Sequence, residues 1–188
     1  MAAAAAAGPP AGLLAGPVTL VGAPRPNRYE LYEMIRGIPQ ARYVRNGYAA
    51  TANLVVPAAV FHALGGFDAR RFSGGDAEFC RRAGAAGHPI RLVPEAEVLH
   101  PARSRWDELA AKTRRVTGGQ VGAGPPRRRL VWFLRALTPP LRALWRFAGA
   151  ANPPGERLAA IRVLLALWLV ELDEALRIVV AGKGPERR

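Results

Sequence analysis

Two glycine pairs, Gly65-Gly66 and Gly74-Gly75, punctuate the middle of this chain and set how long its elements can be. Glycine enters backbone conformations closed to other residues, so each pair stops the element ahead of it and frees the chain to turn. Pro57 opens a helix, where its missing N–H costs nothing, and Gly65-Gly66 closes it. Gly74-Gly75 starts a further helix over 76–86 that ends at Gly87. Strand-like runs at 17–21, 51–56, 90–93 and 96–99 alternate with these helices and with helical segments at 29–35 and 104–116. Alternation of this kind predicts a layered α/β arrangement.

Further Gly/Pro clusters at 24–26, 118–126 and 149–155 separate three parts. These are an alanine-rich start (1–16), an α/β segment (17–120) and a helical tail (127–182). Half of the 188 residues are apolar and 22% are charged, enough to bury a core and unlike a disordered tail. The formal net charge is +13, almost all of it arginine, and after His100 stand 17 of the 27 basic side chains against 7 of the 14 acids. Such a balance suits nucleic acid, an anionic membrane surface or a phosphorylated substrate.

The tail concentrates that charge. Between Arg127 and Phe147 there are six arginines and no acid. At 100° per residue Arg128, Arg135, Arg142 and Arg146 share one side of a helix, with Leu134, Leu137, Leu141, Leu144 and Trp145 opposite. Pro139-Pro140 must kink or split this helix. A second helix over 156–180 sets Ile161, Leu164, Trp168, Leu172 and Val179 on one side, with Arg162, Asp173 and Arg177 on the other. No apolar run approaches the roughly 18 to 20 residues that cross a bilayer. The start lacks the basic segment of a secretory signal. The single cysteine, Cys80, excludes an intramolecular disulfide and a cysteine-built zinc site, and fits a reducing compartment.

The stretch from Gly65 to Arg82 carries the most chemical information. Its glycine turn delivers Asp76 and Glu78 to a helix start, where backbone N–H groups and the helix dipole favour an ionised carboxylate. Asp76 is therefore a candidate general base, and helix capping alone is the other reading of the same residue. Around it lie Tyr48-Ala-Ala-Thr-Ala-Asn-Leu-Val-Val-Pro57, Phe61, Gly65-Gly-Phe-Asp68, Gly74-Gly-Asp-Ala-Glu78, Arg82, Gly87, Pro94 and Val98-Leu-His100. This ordered set resembles the C-terminal half of family 2 glycosyltransferases of the GT-A fold, over about residues 16 to 120.

The resemblance implies a site. Asp76 matches the aspartate of the family's acidic pair, the catalytic base, while Gly75 stands where the pair's glutamate is usual. Asn53, Gly74, Gly75, Glu78, Arg82 and Trp106 are implied on the acceptor side, and His100, Lys112 and Arg115 near the donor phosphates or a metal. For His100 a hydrogen-bonded structural role is the alternative, for Lys112 and Arg115 a solvated helix face, and for Trp106 a place in the core. Sugar transfer needs a base for the acceptor hydroxyl and a cation for the departing diphosphate. The family's cation is Mg²⁺ or Mn²⁺, held by an Asp-x-Asp motif in its N-terminal half. In residues 1–67 the only acids are Glu30 and Glu33, so that motif is absent.

The expectation is thus a partial GT-A fold lacking its nucleotide-binding half, followed by amphipathic helices, with residues 1–16 as the tail of a preceding helix. The expected activity is hexosyl transfer from a nucleotide-sugar to a glycan or lipid-linked acceptor, in the cytoplasm and peripheral at the inner face of the membrane. A truncated, non-catalytic module that binds an acceptor or partner is the alternative. Nucleic acid ranks last, because few aromatic residues interleave the arginines.

Overall fold

The structure is a computed structural model that describes residues 12–182 and Gly184. It is a mixed α/β structure with small sheets and many helices. Two compact units divide it. The first draws on the chain up to Leu20, on Gly37–Arg70 and on Gly74–His100; the second on Val21–Arg36, Arg71–Ser73 and the chain from Pro101 on.

The first unit is built on a three-stranded sheet. Strand β1 (Leu13–Ala15) lies between β3 (Leu54–Val55), antiparallel to it, and β4 (Ile90–Leu92), parallel to it. All three β1 residues are buried, the unalternated pattern of a strand covered on both faces. A strand at Leu13–Ala15 corrects the expected helix tail over 1–16; the rest of that expectation, residues 1–11, lies outside the described residues. Three short leucine and alanine residues carry no period, and only their neighbours choose strand over helix. Strand β2 (Val18–Val21) pairs with β5 (Val98–Pro101).

Helices α2 (Gln40–Arg45), α3 (Ala58–Ala63) and α4 (Gly75–Ala85) accompany the sheet. The core gathers Leu13, Val60, Phe79, Cys80 and Ala83, with Tyr48, Leu54, Phe61 and Ile90 packed around them. The strand expected over 51–56 is a single 3₁₀ turn, Thr51–Asn53, followed by β3. Helix α2 had no counterpart in the sequence reading.

The second unit is helical. It contains α1 (Arg28–Arg36), α5 (Trp106–Val121), α6 (Pro126–Leu137), α7 (Leu141–Ala148) and the long α8 (Pro154–Val179). Pro139-Pro140 splits the expected arginine helix into α6 and α7, because neither proline can donate to the helical ladder. The core joins Leu31 and Tyr32 of α1, Leu109 of α5 and Phe147 of α7 to Ala160, Val163, Leu164 and Leu167 of α8. Ala175 and Ile178 of α8 meet Ala136, Trp132 and Phe133 of α6 in a second cluster.

The buried side of α8 is not the one expected. Leu164 is buried, but Ala160, Val163, Leu167, Ala175 and Ile178 complete that side, and Val179 is exposed. Leu158, Leu165, Leu169 and Leu176 are exposed as well. A helix apolar around most of its girth offers several stripes, and the neighbouring helices decide which is covered.

Candidate active site on the first unit

Helix α4 starts from Gly74, whose φ of 72° lies in the left-handed region that suits glycine. From there the first turn carries Asp76 and Glu78. Asp76 Oδ1 accepts from the backbone N–H of Ala77 at 2.8 Å, and its Oδ2 faces the N–H of Thr51 at 3.4 Å. The carboxylate is thus held between the start of its own helix and the 3₁₀ turn, and is partly open to solvent.

That turn is itself fixed from beneath. The buried Gln40 side chain donates to the carbonyls of Ala50 (3.2 Å) and Asn53 (3.0 Å) and accepts from the N–H of Ala50 (2.8 Å). Asn53, 6% exposed, donates through Nδ2 to the carbonyls of Pro17 (2.9 Å) and Ala96 (2.7 Å). Its amide is consumed by the backbone, so Asn53 shapes the loop under Asp76. Gln40 escaped the sequence reading because a lone glutamine gives no signal of which distant carbonyls it will satisfy.

One helical turn after Glu78, Arg82 ties α4 to the glycine turn. Its Nε and Nη2 donate to the two Glu78 carboxylate oxygens at 3.0 and 3.1 Å, its Nη2 also to the Gly66 carbonyl at 2.8 Å, and its Nη1 to the Leu64 carbonyl. The Glu78 hydrogen bond pushes the guanidinium's pKa further up. Gly65 and Gly66 have φ of 73° and 68°, the conformation that their turn needs. Leu64, the 65–70 loop, Glu78 and Arg82 line an open groove of about 610 Å³. Phe67 stands at its wall, 43% exposed, with its ring edge-on to Phe61 and Phe79.

Asp76, Asn53, Gly74, Gly75, Glu78 and Arg82 therefore belong to one unit, around the start of α4. His100 is half-buried on β5. Trp106, Lys112 and Arg115 belong to the second unit. Trp106 packs against the helical core with its ring 6.3 Å from that of Tyr29. Arg115 donates to the Phe72 carbonyl at 3.4 Å. Lys112 donates to Glu33 at 2.7 Å, and Arg103 donates to the same carboxylate through its side chain (3.0 Å) and its backbone N–H (3.1 Å). Glu33 is 2% exposed; burial raises its pKa, but Lys112 and Arg103 outweigh burial and hold it below the usual carboxylate value. Burial in turn pushes the Lys112 ammonium down, against the pull of Glu33.

Among the described residues no three His, Cys, Asp or Glu side chains converge as metal ligands do.

With these strands, glycine turns and a carboxylate at a helix start, the chain is distantly similar to a glycosyltransferase. The relative is glycosyltransferase AglE of Haloferax volcanii, 29% identical over 149 residues, an alignment covering 69% of this chain and 45% of that protein. The chain thus spans about half the length of the curated relative it matches. No family model and no solved structure matches it.

Proposed function

We propose that this chain forms the acceptor side of a family 2, GT-A-type glycosyltransferase, which moves a hexose from a nucleotide-sugar to a hydroxyl of a glycan or lipid-linked acceptor. The observation that carries this reading is Asp76: a carboxylate at the start of α4, with Oδ1 on one backbone amide and Oδ2 facing another, two residues before a groove-lining glutamate. Asp76 takes the proton of the acceptor hydroxyl as that oxygen bonds to the anomeric carbon. The bond from the same carbon to the diphosphate breaks, and its electron pair leaves with the nucleotide. Glu78 and Arg82 shape the groove, and Phe67 offers an aromatic face for a sugar ring.

The test is transfer from a panel of nucleotide-sugars to glycan and lipid-phosphate acceptors. Asp76→Asn lowers turnover by about 10² to 10⁴, with unchanged melting. Transfer by Asp76→Asn at the parent rate overturns the assignment.

A second reading is a module that binds the acceptor without transferring sugar, favoured by the open groove. Calorimetric binding of an acceptor glycan, abolished by Phe67→Ala, with no turnover of any donor, selects it.

A further inference from the structure

The inward sides of α6 and α7 are accounted for by Trp132, Phe133 and Ala136 on the one and Ala143, Leu144 and Phe147 on the other. Their outward sides are apolar as well. Leu130, Val131, Leu134 and Leu137 of α6 and Leu141 and Trp145 of α7 are all exposed, Trp145 by 82%. An isolated surface leucine needs no explanation, but six large apolar side chains in sixteen consecutive residues do.

The arginines take a regular place beside them. At 100° per residue the four α6 side chains fill an arc of about 120°, and Arg135 and Arg128 adjoin one edge of it. On α7 Leu141 and Trp145 are followed in the same rotational sense by Arg142 and Arg146. Each helix thus presents an apolar stripe with a basic margin. Among the described residues Arg127, Arg135, Arg142 and Arg146 stand in no salt bridge. Arg135 and Arg146 instead lie over the rings of Trp132 and Phe147, at 5.2 and 5.6 Å. Arg128 and Arg129 donate to the carbonyls of Ala123 and Val121, which leaves their charge uncompensated.

We propose that this face of α6 and α7 docks onto an anionic lipid bilayer, with the leucines and Trp145 at the acyl boundary and the arginines on headgroup phosphates. Nucleic acid would take the arginines and leave the leucines in water. An anionic membrane matches both, and an indole is suited to the boundary between them. The helices lie on the bilayer: at 12 and 8 residues they are about 18 and 12 Å long, against an apolar thickness of about 30 Å. No helix among the described residues is long and apolar enough to cross. This docking does not depend on the transferase reading.

The experiment is co-sedimentation of the whole chain with phosphatidylcholine vesicles carrying increasing phosphatidylglycerol, at low and physiological salt. Binding rises with the anionic fraction and falls with salt. The double variant Arg142→Gln/Arg146→Gln weakens it by more than tenfold, at about fivefold for each charge. Trp145→Ser and Leu134→Ser weaken it too, and Trp145→Ser removes the blue shift of tryptophan emission on binding. All four side chains are exposed, so melting stays at the parent value. Any of four results overturns the proposal: no binding, equal binding to neutral and anionic vesicles, variants that bind like the parent, or arginine-dependent DNA binding without lipid binding. A dimer that Trp145→Ser converts to monomer, in a chain that ignores vesicles, also overturns it and makes the face a contact between copies.

Discussion

A β-carbon placed on Gly16 would lie 1.8 Å from the Ala96 carbonyl oxygen and 2.6 Å from Asn53 Nδ2. The loop that carries Asp76's neighbour Thr51 thus rests on a contact that only glycine permits. Gly16→Ala must displace backbone, and it lowers stability by about 3 kcal/mol, read as a fall in melting temperature. At this scale the resemblance singled out Asp76, Asn53, Glu78 and Arg82. It did not reveal their partners. Asn53, assigned to the acceptor by resemblance, spends its amide on Pro17 and Ala96, and those carbonyls are 36 and 43 residues away.

Among the elements, α4 and the glycine turn before it show what local pattern can and cannot supply. The helix start at Gly74-Gly75 and its end near Gly87 follow from glycine alone. The anchoring of the turn does not, since it needs Arg82 to reach the Leu64 and Gly66 carbonyls while Glu78 holds its other edge. Arg82→Lys keeps the charge and loses the planar fork. Amides of residues 64–70 then exchange hydrogen about tenfold faster, equivalent to about 1.4 kcal/mol, while those of α8 keep their protection. In the tail the proline pair predicted a break and the chain has one. The period put Leu144 on one face with Leu134, Leu137, Leu141 and Trp145, but once the prolines split the helix Leu144 packs on the helical core and the other four stay uncovered.

Over the whole molecule, Glu33 contributes to acid stability. Its pKa is held below the ordinary 4.5 in the folded chain, so its contribution is complete above that value. It is lost as pH falls from about 4.5 through the lowered folded value. The melting temperature therefore drops on acidification through that window, and Glu33→Gln removes this part of the drop. At neutral pH the same substitution leaves Arg103 and Lys112 without their carboxylate and costs about 3 kcal/mol. Nothing in the sequence announced this ion cluster, because Glu33 and Lys112 are 79 residues apart. The sequence by itself determined the mixed α/β content, the glycine and proline breaks, and a carboxylate at a helix start. Those depend on backbone sterics and on side-chain periods of a few residues. The tertiary structure alone decided that Leu13–Ala15 is a central strand, which stripe of α8 is buried, and that Lys112 faces Glu33. Burial and charge pairing join residues far apart in the chain, and no local pattern encodes that distance.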